Sequence, residues 1–124
     1  PKRTSLYNEA DRLLLGGISI SADSHLFIAD TKSIESQQSW IEDLIYFESL
    51  KPAIVIPGHF GAGNRFGIEN IHFTKTYLER FLEAEAQFDE SNAIIAYMKE
   101  YYPELNDAVL PLSAQVVTGE VEWE

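Results

Sequence analysis

The chain has 124 residues, a length that predicts one compact domain with a single core. Nine Lys and Arg against 20 Asp and Glu give a formal net charge of -11, which repels phosphate backbones and anionic lipids and argues against a nucleic-acid or membrane partner. The sequence has no cysteine, so disulfides, thiolate metal sites and cysteine nucleophiles are excluded. A hydrophobic share of 45%, with no apolar run near the ~18 residues of a membrane span, predicts a globular cytoplasmic protein.

The first predicted elements are strands. Residues 4–7 and 12–15 have strand composition and flank the turn-forming segment 8–11, so they predict a hairpin. The Gly16-Gly17 pair is expected to break the second strand, and apolar and polar residues then alternate over 18–23 as in a strand with one buried face. The apolar segment that follows, Leu26-Phe27-Ile28-Ala29, is expected either to extend the sheet or to cross it.

A helix is predicted over residues 33–51, where apolar side chains recur at helical spacing and Pro52 ends the pattern. The apolar stripe contains Trp40, Leu44 and Phe47, with Ile41 and Ile45 beside them. The candidates to cap the start of this helix are Asp30, Thr31 and Ser33.

Residues 53–56 are a short continuous apolar run, which is typical of a strand covered on both faces. The glycine-rich segment 57–64 follows and is expected to be a loop at the carboxyl end of that strand. Ligands of α/β sheets usually bind at such an edge.

The remaining pattern is mainly helical. Residues 71–88 predict a helix whose buried stripe contains Phe73, Tyr77, Phe81, Ala84 and Phe88, and whose acidic residues between Glu79 and Glu90 are expected to form a solvated face. Ser91 is expected to cap a further helix that ends before Pro103. The side chains of this helix that are expected to face the core are Ile94, Tyr97, Met98 and Tyr101. The tail, residues 110–123, favours helix over strand. No repeat or linker divides the chain, so residues 1–124 are interpreted as one domain.

Three histidines are the main candidates for chemistry, and no two of them have a zinc-binding His-x-His or His-x-x-x-His spacing. His59 follows the short apolar strand and a Pro-Gly turn, where it either binds an ion or is satisfied by backbone hydrogen bonds. Asp23 and His25 lie two apart on an extended segment, so they share a face. They either share a proton or a metal, or form an exposed polar pair.

Several segments taken together resemble one family, the metallo-β-lactamase-fold hydrolases. The segments that carry the resemblance are Leu13-Leu14-Leu15-Gly16-Gly17, residues 22–31, the helix around Trp40, Val55-Ile56-Pro57-Gly58-His59, and the closing run from Leu112 to Trp123. The whole chain is similar to the C-terminal half of that fold. The resemblance implies an α/β (α+β) fold, namely half of an αββα sandwich with one mixed sheet and about three to four helices.

The resemblance also assigns roles to individual residues. It places His59 on the family's last zinc-ligand histidine, and His25 in a segment where relatives often carry a histidine near the substrate. Asp23, which shares a face with His25 by spacing, would then lie in the same vicinity of substrate or metal. It places Ile18 where the family has its bridging metal aspartate, and the family's His-x-His-x-Asp-His motif has no counterpart in this sequence. A catalytic zinc site needs at least three protein ligands, so these residues alone are not expected to form one.

Two main functional hypotheses follow from this resemblance. The first is a non-catalytic or degenerate half-domain that acts through self-association or a partner chain. The second is a fragment of a zinc-dependent hydrolase of esters, lactones or amides, with His59 as one metal ligand. Small-ligand binding without turnover at residues 58–64 is a third hypothesis.

The family fold implies a specific surface for association. In that fold two sheets pack face to face, and this chain is expected to supply only one of them. The apolar runs 13–15, 18–22 and 54–56 would then leave one sheet face in water, which favours association. We therefore expect a homodimer, or a partner chain that covers this face.

Overall fold

The structure is a computed structural model that describes residues 6–22, 25–26, 28–60, 67–103, 105 and 109–122. These residues form a three-stranded mixed sheet and four α-helices, which confirms the predicted α+β class. Within those ranges, no helix is both long and apolar enough to cross a bilayer.

The first described element is the predicted antiparallel hairpin. Strand β1 spans Leu6–Asn8 and strand β2 spans Leu13–Ala22, with Leu6 opposite Leu15. The backbone N–H of Asp11 donates to Asn8 Oδ1 over 3.1 Å and closes the turn.

Strand β2 continues through Gly16 and Gly17, so the expected break at these residues is wrong. The glycines instead mark an irregularity in the pairing of β2 with the third strand, whose register shifts between Leu15 and Gly17 and again between Gly17 and Ser21. A Cβ at position 16 would lie 2.6 Å from side-chain atoms of Ile20, so the irregular backbone leaves room only for glycine there.

After β2 the chain leaves the sheet. A short 3-10 helix, Ala29–Thr31, precedes helix α1, Ile34–Ser49, and the backbone N–H of Ser36 donates to the Oγ of Ser33 over 3.1 Å. Ser33 is therefore the cap among the three candidates.

Strand β3 spans Ile54–Phe60 and pairs parallel with β2, so α1 is the crossover between them. The start of β3 is fixed by Arg12, whose carbonyl oxygen accepts from the N–H groups of Ala53 and Ile54 over 2.8 and 3.1 Å. The expected loop 57–64 is wrong over residues 57–60, which belong to the strand, and residues 61–66 lie outside the described ranges.

Three helices complete the fold: α2 at Glu69–Gln87, α3 at Ser91–Tyr101 and α4 at Leu110–Val117. The predicted helix in the tail is confirmed. Ser91 is not the cap of α3 but its first residue, and its N–H and Oγ both donate over 2.8 Å to the carboxylate of Glu120 beyond α4. Tyr101 is exposed rather than turned inward.

The core lies between the sheet and α2. Helix α2 packs against β2, β3, α1 and α3, and its side chains Tyr77, Leu78 and Phe81 are fully buried. Leu14 and Val55 meet them from the inner face of the sheet. Within the single chain, the strand predicted at 53–56 is covered on one face and not on both, because the side chain of Val55 is buried whereas that of Ile54 is 45% exposed.

Helix α4 is tied to the segment after β2 by one buried hydroxyl. Ser113 Oγ accepts from the backbone N–H of Ile28 over 2.9 Å and donates to the carbonyl oxygen of Leu26 over 3.3 Å. The serine in the closing motif therefore has a structural role.

Replacing this hydroxyl tests that role. Ser113→Ala would leave two buried backbone groups without their partner, so we expect the free energy of unfolding to fall by about 1–3 kcal/mol in urea titrations. Ser39→Ala, at an exposed position of α1, is the matched control and should change stability little. Equal stability of the two variants would contradict the assigned role.

Candidate functional site

Parallel pairing brings the predicted site residues to one edge of the sheet. Ser21 of β2 lies opposite His59 of β3, and Ala22 lies opposite Phe60, so both carboxyl ends leave the sheet together. His59 is therefore in the same part of the fold as the segment that follows β2. The side chain of His59 and all of Asp23 lie outside what the structure describes.

Ile18, the predicted position of the lost metal ligand, belongs to the irregular part of β2. It lies in the segment between Gly17 and Ser21, across which the register with β3 shifts. Its side chain is also outside the described set, so its assigned role stays a prediction.

His25 is buried and has a defined partner. It is 3% exposed, and its Nδ1 lies 2.6 Å from the phenol oxygen of Tyr77, which is 52 positions away on α2. Its ring also meets the edges of Tyr77 and Tyr102, at centroid distances of 5.5 and 6.2 Å. Of the two alternatives predicted for Asp23 and His25, an exposed polar pair is therefore wrong for His25.

The hydrogen bond between His25 and Tyr77 has an inferred direction. Burial raises the pKa of the Tyr77 phenol far above its usual value, the nearby Tyr102 raises it further, and a backbone hydrogen bond with Leu26 opposes the rise. The phenol therefore keeps its single proton, and we infer that it donates this proton to His25 Nδ1. The neutral imidazole would then carry its own proton on Nε2.

This pairing limits the chemistry that His25 can perform. Its Nδ1 is engaged by Tyr77, so a metal contact by His25 would have to use Nε2. The sequence did not predict this pairing, because Tyr77 belongs to an aromatic stripe whose spacing predicts only that its side chains are buried in the core. The available signal was that a buried imidazole requires a hydrogen-bonding partner.

The third histidine has a surface setting. His72 Nε2 lies 2.9 Å from Glu48 Oε2, and the ammonium of Lys75 lies 2.6 Å from the other oxygen of the same carboxylate. Among the side chains that the structure describes, no three His, Asp or Glu groups are arranged to hold a metal ion. The described residues therefore do not form a zinc site by themselves.

A second candidate surface lies on the opposite face of the sheet from α2. We define the outer sheet face as the five aliphatic side chains that point away from the core: Leu6, Leu13, Leu15, Ile54 and Ile56. Register places Leu6, Leu15 and Ile56 in one row across the three strands, and Leu13 beside Ile54 in the next. Leu6, Leu15 and Ile54 are 64%, 39% and 45% exposed.

The outer sheet face is unusual for a surface that remains in water. A sheet with one solvated face normally places polar side chains there, in alternation with the buried ones. Here the residues on both sides of the buried Leu14 and Val55 are aliphatic. Contiguous apolar patches of this kind mark interaction surfaces.

No protein-family model matches the chain, and no curated protein matches it. The family resemblance consequently rests on the sequence segments alone and stays a prediction.

The pairing of Tyr77 with His25 can be tested by removing one oxygen. Tyr77→Phe keeps the ring but leaves the buried Nδ1 without its donor, so we expect a loss of about 1–3 kcal/mol in the free energy of unfolding. Tyr46→Phe, at an exposed ring on α1, is the control and should be nearly neutral. Nitrogen NMR of His25 in the native chain should report the Nε2-protonated tautomer. A tautomer protonated on Nδ1 would contradict the inferred direction of the bond.

Proposed function

We propose that the chain is a non-catalytic half-domain of the metallo-β-lactamase type, which acts by packing its outer sheet face against a second β-sheet. The observation that supports this proposal is the contiguous apolar surface formed by the five side chains of the outer sheet face. The second sheet belongs to another copy of the chain or to a partner chain.

The geometry of the outer sheet face suits another sheet better than a small ligand. Its side chains stand in two rows: Leu6, Leu15 and Ile56 cross all three strands, and Leu13 and Ile54 cross β2 and β3, with Asn8 of β1 at the end of that row. Two sheets pack face to face at a separation of about 10 Å by interdigitating such rows. Each Å² of apolar surface that leaves water contributes about 25 cal/mol to association.

A second copy of the chain is the simplest occupant. A two-fold axis through the outer sheet face would bring the same rows together from both copies, as in a symmetric dimer. The five side chains that define the face are uncharged, so the net charge of -11 opposes the approach only from a distance.

The proposal is tested by placing a charge in the centre of the outer sheet face. Leu15→Glu would carry unpaired carboxylates into the contact, at a cost of roughly 3 kcal/mol or more, so the dissociation constant should rise at least ~100-fold. Sedimentation velocity from micromolar to millimolar concentration measures this change. The native chain should dimerise within that range.

The control variant is Ile45→Glu, because Ile45 is an equally aliphatic and exposed residue on α1, outside the proposed contact. It should dimerise as the native chain does. A native chain that stays monomeric throughout, and that gains no partner when the other half of such a fold is added, would contradict the proposal.

The zinc-dependent hydrolase remains a second candidate because one observation favours it. The parallel register brings His59 to the same sheet edge as the segment that leads to His25. By resemblance His59 would supply one imidazole ligand, and further ligands would have to come from residues outside the described set or from another chain. Bound zinc would polarise a carbonyl or activate water at this edge.

Zinc binding distinguishes the two candidates. If the second candidate is correct, the assembled protein should retain about one zinc per chain after dialysis. His59→Ala should lose that zinc while keeping the native circular dichroism spectrum. His72→Ala is the control, because His72 lies on the exposed surface of α2 and pairs with Glu48. Folded protein that takes up no zinc, in the presence of its partner, would exclude the hydrolase candidate.

A further inference from the structure

An open groove runs along helix α2 beside the end of α3, apart from the outer sheet face and from the sheet edge at His59. Its volume is about 330 Å³, or roughly 11 waters at liquid density, which is enough for a small organic molecule. Helix α2 contributes Phe73, Thr76 and Arg80, which are spaced as one stripe of a helix. Tyr101, the last residue of α3, and Tyr102 after it form the other side.

The groove contains a guanidinium group that has no carboxylate partner. The chain has 20 Asp and Glu against nine Lys and Arg, so each basic side chain has many carboxylates with which it could pair. Lys75 of the same helix does so, with its ammonium 2.6 Å from the carboxylate of Glu48. Arg80 forms no ion pair with any residue that the structure describes. Its charge is therefore available to an anionic ligand.

Two tyrosines hold this guanidinium in place. Its central carbon lies 4.0 Å from the ring centroid of Tyr101, the arrangement of a cation–π contact. Burial raises the pKa of the Tyr102 phenol and the charge of Arg80 opposes the rise, so the guanidinium also lies beside Tyr102. A side chain that is already held loses less freedom when a ligand binds, so Arg80 is preorganised for binding.

The chemistry of the groove decides between kinds of anion. A guanidinium has five N–H donors in one plane, and its fork matches the two oxygens of a carboxylate. The rings of Phe73 and Tyr102 meet edge to face, with their centroids 5.8 Å apart, and form an aromatic wall. A second ring gains from contact with such a wall, whereas inorganic phosphate has no apolar surface to place there. An aromatic carboxylate matches both parts of the groove.

We propose that this groove binds a small aromatic carboxylate, whose oxygens accept hydrogen bonds from Arg80 while its ring lies against Phe73 and Tyr102. The groove shares no residue with the outer sheet face. The site therefore stands independently of the proposed function.

The negative charges near the groove leave room for such an anion. Glu69 and His72 line its far end, and Glu69 is 11 positions before Arg80, which is about 16 Å along the helix axis. This distance exceeds the Debye length of about 8 Å at physiological salt, so repulsion from the exposed Glu69 is largely screened. Glu83, one turn beyond Arg80, accepts a hydrogen bond over 2.8 Å from the phenol of Tyr97.

The test is a titration of the whole chain with benzoate at neutral pH and physiological salt, followed by amide NMR. Benzamide is the neutral probe, because it has the same size and planar shape. Benzoate should shift the amide signals of residues 76, 80, 101 and 102, with a millimolar dissociation constant as expected for so small a ligand. Benzamide should bind at least ~10-fold more weakly, because it lacks the charge-assisted pair with Arg80.

Variants of Arg80 test the same contact. Arg80→Gln should lower the affinity for benzoate at least ~10-fold, to that of benzamide. Arg80→Lys keeps the charge but not the planar fork, so its affinity should lie between those of the native chain and Arg80→Gln. Lys51→Gln is the matched control, because it removes one positive charge from an exposed position between α1 and β3, and it should bind benzoate as the native chain does.

Three results would overturn the proposal. The first is equal binding of benzoate and benzamide to the native chain, a comparison that needs no variant. The second is undiminished benzoate binding by folded Arg80→Gln. The third is acetate binding as tightly as benzoate, which would indicate an anion contact to which the aromatic wall contributes nothing.

Discussion

The packing of helix α2 against one face of the sheet is the contact on which the rest of the structure depends. Its fully buried Tyr77, Leu78 and Phe81 form the core together with Leu14 and Val55 of the two parallel strands. Helices α1 and α3 pack against α2, and α4 packs against α3 and the short 3-10 helix Ala29–Thr31. Because a strand turns alternate residues to opposite faces, the same arrangement directs the next set of aliphatic side chains outward. The outer sheet face therefore follows directly from how the core is built.

Helix α2 also carries two polar groups that the core must accommodate. Tyr77 retains its proton and engages Nδ1 of His25, so this candidate site residue is part of a buried core pair. Glu85 is also partly buried, but its Oε1 has no donor among the described residues and its pKa is raised to about 7. The closing segment is structural as well, since Glu120 binds the start of α3.

Apolar spacing in the sequence predicted three of the four helices, because such spacing reports directly on burial. The opening hairpin followed from strand composition around turn residues, the tail helix from residue preferences, and the α+β class from the family resemblance. Prediction failed where a contact between distant residues decides the conformation. Gly16 and Pro57 suggested breaks, yet both lie within strands, since β2 and β3 support each other across an irregular register. Glu85 was assigned to a solvated helix face, although packing against α1 buries part of it. The partner of His25 was missed for the same reason, because 52 positions separate the two rings along the chain.

We propose that a second sheet covers the outer sheet face. Methyl NMR with a soluble paramagnetic probe tests this directly, since the probe broadens the signals of methyl groups that it can reach. At high protein concentration Leu15 and Ile54 should be protected from the probe while Ile45 on α1 is broadened, and dilution should remove the protection. Leu15 and Ile54 signals that are broadened as strongly as that of Ile45 at every concentration, with or without a partner chain, would contradict it.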